Sequence, residues 1–429
     1  MPKLLTKHEF STLKNINKAS YIEMFFDLVF IFCLHQTMPV VTGIEADTVD
    51  WYTFYTFTFT TVLLLQVWFD TTIFMNRFGS GGPLDVAFFV VITFLLIIMT
   101  QCVSTDWDNY VIYNACWILI LVNVVAHWIV RYKMISNPDR RFTHHAKRTI
   151  TILLIEALVV FIATLCDSFS GQILALVALI IGFSSWFGRD ANLMNNSHYN
   201  HLAERCSLLI VMSFGETVAA ACLFTDLQDE TLNGLLYLLI ILTMFFIYLI
   251  ELERALDFTK MRNGLGYMAI TAWQTFNIAN ITVSFQLMVK EINLWFMDSS
   301  LYFSVSVAVF LLSFFLYQPY NRSGNHSRKR WFCIRFIACL GTLLLSAALM
   351  QSISSLVMPN SISRVTPPEE DTVLLTITTV IGLIAVVLVF LLDWKRYGAE
   401  SNNLYQDEEE EKPESPQEEA DSLDISKDE

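Results

Sequence analysis

The chain has 429 residues, of which 54% are hydrophobic and 16% are charged, and its mean hydropathy is +0.49. A soluble domain of this length needs more charged side chains to cover its surface, so the composition excludes that class and favours a membrane protein with several spans. The formal net charge of −14 resides mainly at the C-terminus, because residues 399–429 contain 13 acids and two lysines.

Twelve stretches are long and apolar enough to cross a bilayer core as helices of about 20 residues. They lie at 21–41, 51–74, 84–104, 109–130, 150–166, 172–188, 201–224, 232–253, 265–288, 299–317, 332–357 and 372–393. The fifth and sixth are short and joined only by DSFSG, so they are either two spans or a re-entrant pair. We therefore predict an all-α integral membrane protein with about twelve transmembrane helices.

The distribution of basic residues predicts the orientation of these spans. If the N-terminus is cytosolic, 23 of the 27 Lys and Arg lie in cytosolic segments, as the positive-inside rule requires. Both termini are then cytosolic, and we expect the plasma membrane rather than an organelle. The predicted divisions are a cytosolic N-terminus (1–20), two six-span halves (21–190 and 197–396) and a disordered acidic cytosolic tail (399–429).

Span one carries three titratable side chains within YIEMFFDLVFIFCLHQ, residues 21–36. Glu23 and Asp27 are one helical turn apart on a single face, in the inner half of the span. His35 lies deeper, and Pro39 is expected to kink the helix beyond it, because proline lacks an N–H. A charged group near the bilayer centre costs a few kcal/mol, so such residues usually face a protein interior or water and serve a function.

Span seven carries a similar set. Glu204 and Arg205 lie at its inner start, and Glu216 lies near the midplane beside Gly215, which leaves room for a neighbouring helix or a substrate. Five further polar residues are predicted to support the site: Asp70, Arg77, His127, Glu156 and His201.

These depths predict two clusters. An inner one contains the acids and the arginine of spans one and seven, with Asp70, His127 and Glu156 near by. An outer pair consists of His35 and Glu216, provided that spans one and seven touch. Such a pair suits proton transfer, because histidine changes protonation near neutral pH. The alternative is structural, with the charged groups tied to one another to hold helices together.

Metal and cofactor sites are not expected. His198, His201 and Glu204 recur at steps of three and would share one side of a helix, but a metal needs further ligands in place. The eight cysteines contain no CxxC motif, so neither a zinc site nor a disulfide framework is indicated.

Two segments resemble the signatures of the low-temperature-requirement A (LtrA) membrane proteins. They are YIEMFFDLVFIFCL in span one and HLAERCSLLIVMSFGETV in span seven. The matching residues are Glu23, Phe25, Phe26, Asp27, Leu28, Val29 and Phe30 in the first, and His201, Glu204, Arg205, Gly215 and Glu216 in the second. The resemblance implies a polytopic membrane protein and says little about a substrate.

A third block, VWFDTTIFMNRFGSGGPLD, resembles the same family through Trp68, Asn76, Arg77 and Phe78. This chain departs from the family pattern where Ser80 and Gly81 replace an acidic pair, and where Cys206 and Ser207 replace Phe-Gly.

An internal offset of 181 residues suggests that the two halves are repeats. The offset maps Glu23 onto Glu204 and His35 onto Glu216, and it places span one on span seven. Two halves of six spans each have the same orientation, as in transporters that carry their site between parallel repeats.

Three functions are compatible with these features. The first is a secondary transporter, in one version proton-coupled, that moves a small solute through a site around Glu23, Asp27, His35 and Glu216. The second is a membrane sensor or scaffold whose acidic tail binds a cytosolic partner, and the third is a cation channel.

An enzyme is not expected, since no nucleophile–base set or phosphate loop is present. The only other predicted partner is the lipid bilayer. Nucleic acid is not one, because the basic residues are dispersed.

Overall fold

The computed structural model describes residues 20–79, 81–135, 140–166, 168–186, 199–223, 231–252, 264–290 and 292–320, with positions 256, 380, 383, 384 and 387. The described helices are α1 (Tyr21–His35), α2 (Pro39–Thr42), α3 (Trp51–Phe78), α4 (Pro83–Gln101), α5 (Tyr110–Met134), α6 (Arg140–Leu165), α7 (Ser168–Phe183), α8 (Tyr199–Leu223), α9 (Thr231–Ile250), α10 (Leu265–Val289) and α11 (Ser299–Ser313), which a 3₁₀ helix (Phe314–Tyr320) follows. The N-terminal segment, nearly all of the two spans predicted at 332–357 and 372–393, and the acidic tail lie outside the described residues.

The prediction of an all-α membrane protein is confirmed. Within the described part of the chain, six helices are long and apolar enough to cross a bilayer, at Tyr21–Thr42, Trp51–Phe78, Pro83–Gln101, Tyr110–Met134, Phe142–Leu165 and Leu301–Tyr320. Helix α6 begins ten residues before the predicted fifth span, because its first turns are basic and polar, so hydropathy alone places the start too late.

The starts of α1 and α3 are set by local hydrogen bonds. Before α1, the backbone N–H and the hydroxyl of Ser20 both donate to Glu23 Oε2, at 2.9 and 2.7 Å. At α3, the Asp50 carboxylate accepts from the N–H groups of Tyr52 and Thr53, both at 3.3 Å. Side chains of this kind satisfy N–H groups that have no partner within the helix.

Span one is interrupted where proline was expected to kink it. Helix α1 ends at His35, three turn residues follow, and α2 begins at Pro39. Proline is suited to the first position of a helix, where its missing N–H has no intrahelical partner in any residue. The last carbonyl of α2, at Thr42, accepts a 2.6 Å hydrogen bond from Lys290 Nζ at the end of α10.

The packing order places α1 at a central junction. Helix α1 contacts α4 and α8, α8 contacts α10, and α10 contacts α11, while α4, α5, α6 and α7 pack in chain order. Two short parallel strands, β1 (Thr48–Val49) and β2 (Asn293–Leu294), join the loops that follow α2 and α10. The outward faces of α4 and α6 carry exposed apolar side chains such as Phe94 and Leu158, as expected for surfaces in contact with lipid.

Candidate functional site

An ion-pair network joins α1 to α8. Arg205 NH2 donates to Asp27 Oδ1 at 2.6 Å, and Arg205 Nε donates to Asp27 Oδ2 at 3.1 Å. Arg205 NH1 also reaches Glu23 Oε1 at 3.4 Å. All three side chains are buried. The planar guanidinium therefore spans both acids of span one, an arrangement that suits arginine better than lysine.

Neighbouring donors add further hydrogen bonds to the two acids. His201 Nε2 lies 3.1 Å from Glu23 Oε2, and Trp68 Nε1 on α3 donates to Asp27 Oδ1 at 2.9 Å. The network therefore ties three helices together. Glu204, which was predicted to join this cluster, is half-buried and makes none of these hydrogen bonds.

A second buried cluster lies between α4 and α5 and contains Asp85, which the sequence did not single out. Arg131 NH2 donates to both carboxylate oxygens of Asp85 at 2.6 Å, and His127 Nε2 lies 2.8 Å from Asp85 Oδ1. His127 thus belongs to this cluster rather than to the one on α1. Arg131 is one of the 23 basic residues that the sequence assigned to cytosolic segments, and nothing local to either residue indicates the pairing.

Two further acids lie apart from these clusters. Glu156 Oε1 accepts a 2.9 Å hydrogen bond from Gln66 Nε2, and Asp70 Oδ1 accepts a 2.7 Å hydrogen bond from Trp186 Nε1. Both therefore belong to contacts that hold α3 against α6 and the end of α7.

Gly182 on α7 permits one of these contacts. A Cβ atom at this position would overlap Gln66 Nε2 and Glu156 Oε2, so we expect Gly182→Ala to lower the free energy of unfolding by about 1–3 kcal/mol. Denaturation in mixed detergent micelles measures the change. Gly215→Ala is the matched control, because a Cβ there meets open space, and helix propensity makes that change neutral or stabilising by up to about 1 kcal/mol. Equal stabilities for the two variants would contradict this account of Gly182.

The outer pair consists of His35 on α1 and Glu216 on α8. His35 Nδ1 and Glu216 Oε2 are 3.5 Å apart, and the side chains are 25% and 30% exposed. The Nδ1 atom of His35 is itself buried, and it has no hydrogen-bond partner among the described residues. In contrast to the side chains of the inner network, the two side chains of this pair are close without a direct hydrogen bond and are partly exposed.

A small cavity, partly open to its surroundings, lies beside this pair, between α1, α8 and α10. It is lined by both members of the pair and by Ser213, Thr275 and Thr282, among others. The Thr275 hydroxyl is buried without a hydrogen-bond partner among the described residues. Gly215 is exposed and has open space where its side chain would be, so close helix packing does not account for it.

Helix α10 contributes a polar interior that the sequence reading missed. Its buried residues include Thr271, Gln274, Thr275, Asn277, Asn280, Thr282, Ser284 and Gln286. Thr282 and Thr217 of α8 are joined by a 2.8 Å hydrogen bond, and Tyr302 donates to Asn280 at 2.6 Å. The high density of uncharged polar residues in TAWQTFNIANITVSFQ is the sequence feature that indicates this polar interior.

No group of three or more His, Cys, Asp or Glu side chains within the described ranges is arranged to hold a metal ion. His198, one of the candidate ligands, lies outside those ranges.

Comparison with known proteins agrees with this architecture. No curated protein and no solved structure matches the chain. The family model described as bacterial low temperature requirement A protein (LtrA) matches residues 18–365, a range that includes every helix from α1 to α11 and both acids of span one. The chain therefore belongs to the LtrA family of membrane proteins.

Proposed function

We propose that the protein is a proton-coupled secondary transporter whose site lies between α1, α8 and α10. The observation that carries this function is the His35–Glu216 pair beside its cavity. Protonation of either member changes the net charge of the pair, and the Thr275 hydroxyl, which has no hydrogen-bond partner among the described residues, lines the cavity and supplies a hydrogen-bonding group for a small polar solute. No enzymatic step is involved.

The inner network is the fixed part of this mechanism. Its carboxylates are buried and hydrogen-bonded by Arg205, His201 and Trp68, so it holds α1 against α8 and sets the depth at which the outer pair meets. The outer pair lies about 18 Å further along α1, since twelve residues separate His35 from Glu23. Binding and proton exchange thus occur at the outer pair and not at the ion-pair network.

We also propose that the chain crosses the plasma membrane twelve times and that both of its termini are cytosolic. The strand pair supports this sidedness, because it joins the loops after α2 and α10, which the twelve-span scheme places on the same outer side. The packing order supports a duplicated architecture. Helix α1 contacts α4 and α4 contacts α5, and α8, α10 and α11 repeat this order in the second half.

Solute-dependent proton movement tests the function. The purified protein is placed in liposomes that contain a pH-sensitive dye, and amino acids, carboxylates, sugars and amines are added in turn under an imposed pH gradient. We expect one solute class to move protons in a saturable manner. If none of the solute classes causes proton movement, the proposal is overturned. An ion current across a planar bilayer that does not saturate would indicate a channel instead.

Glu216→Gln tests the site directly. The substitution keeps the size of the side chain and removes its charge, so we expect solute-driven proton movement to fall roughly 10²–10⁴-fold, in the range of general acid–base effects. Glu45→Gln, on an exposed outer loop, is the matched control and should leave the flux unchanged. Equal flux in the two variants would place the proton site elsewhere.

A further inference from the structure

A second cavity, partly open to solvent, lies where five helices end or begin. Its walls come from the last turns of α3 and α5, the first turns of α6, the residues that follow α7 and the start of α10. The twelve-span scheme places all five of these ends on the cytosolic side, opposite the strand pair. The cavity is therefore separate from the outer pair and does not depend on the function proposed for that pair.

One wall of the cavity is formed by Arg77, a buried cation with no carboxylate partner among the described residues. Its side chain is 7% exposed. Its hydrogen bond to a protein group is the 2.9 Å contact between NH1 and His145 Nε2, and its buried Nε has no partner in the described part of the chain. Because a guanidinium only donates, His145 Nε2 is the acceptor in this contact and adds no negative charge.

A buried guanidinium without a counter-charge is costly, and a water molecule would satisfy its N–H groups without neutralising it. Asp70, the one acid among the described residues that line the cavity, lies about 10 Å from Arg77 along the axis of α3. Its carboxylate accepts a hydrogen bond from Trp186. The other cation of the cavity, Arg148, donates to the backbone carbonyl of Ser184 at 3.1 Å.

A second unsatisfied group faces the same space. The Ser185 hydroxyl is buried and has no hydrogen-bond partner among the described residues. A hydroxyl donor and the guanidinium fork of Arg77 are thus available together in one cavity. Arginine binds phosphate oxygens in a bidentate manner, and a phosphate group accepts hydrogen bonds from several directions at once.

We propose that this cavity binds a phosphate oxyanion, with Arg77 and Arg148 supplying the charge and Ser185 a hydrogen bond. The oxyanion is either a free phosphate or the headgroup of an anionic phospholipid, since the ends of membrane-spanning helices lie level with the headgroups.

Thermal unfolding in phosphate-free detergent tests the site, because a ligand that binds only the folded state raises the midpoint. We expect inorganic phosphate to raise it, and sodium chloride at equal ionic strength to leave it unchanged. Transfer to nanodiscs of phosphatidylglycerol or of phosphatidylcholine separates the two sources. A rise with phosphatidylglycerol and none with inorganic phosphate assigns the site to a lipid headgroup. If neither phosphate nor phosphatidylglycerol raises the midpoint, the proposal fails.

Two variants connect the effect to the cavity. Arg77→Gln should weaken binding at least roughly tenfold, because it removes a charged hydrogen-bond donor. Ser185→Ala should weaken it about fivefold and serves as the test if Arg77→Gln does not fold. Lys133→Gln, an exposed basic residue that does not line the cavity, is the control and should bind as the wild type does. Unchanged binding in Ser185→Ala and Arg77→Gln would overturn the assignment.

Discussion

Arg205→Met is expected to lower the free energy of unfolding by about 3–5 kcal/mol. The substitution keeps the volume of the side chain but removes the cation that both Asp27 and Glu23 contact. Asp27 is the more severely affected acid, because its remaining hydrogen bond is the one from Trp68, whereas Glu23 keeps its contacts with His201 and Ser20. Titration with a denaturing detergent in mixed micelles, followed by tryptophan fluorescence, measures the change.

Two further variants separate charge from geometry at this network. Arg205→Lys keeps the charge but loses the fork that spans both oxygens of Asp27, so its stability should lie between those of the wild type and Arg205→Met. The double variant Asp27→Asn with Arg205→Met should recover much of the loss, because it no longer buries an uncompensated carboxylate at that position. A destabilisation equal to the sum of the two single changes would show that the pair does not interact.

Asp85→Asn is expected to cause a loss of similar size, about 3–5 kcal/mol, at the separate contact between α4 and α5. The amide removes the negative charge opposite Arg131 and His127, whose nitrogen atoms lie within 2.8 Å of the carboxylate. The same denaturation measurement applies. Asp106→Asn, on an exposed loop at the other end of α4, is the control and should lie within about 0.5 kcal/mol of the wild type.

The two sites should also be independent of each other. Asp27 and Asp85 bind different arginines on different helices, so the losses from Arg205→Met and Asp85→Asn should add within about 0.5 kcal/mol. A smaller combined loss would indicate that the two clusters act through the shared contact of α1 with α4.

The sequence by itself determined the class of the protein, most of the described helix positions and the family. Apolar runs of span length require membrane helices, because a helix satisfies all backbone hydrogen bonds within its own segment, and this property depends only on residues near in the chain. Depth in the bilayer also follows from position along a helix. The sequence therefore predicted that the acids of span one and Arg205 lie at one level, and that His35 and Glu216 lie at another.

Only the tertiary structure decided which of these groups meet. Three features depend on the rotation and tilt of each helix against its neighbours. They are the pairing of Asp85 with Arg131, the separation of His127, Asp70 and Glu156 into different contacts, and the cavity around Arg77. The packing of side-chain ridges into grooves along whole helices sets these angles, and no pattern within one span encodes them. For the same reason, the polar face of α10 forms part of a candidate site only because α1 and α8 pack against it.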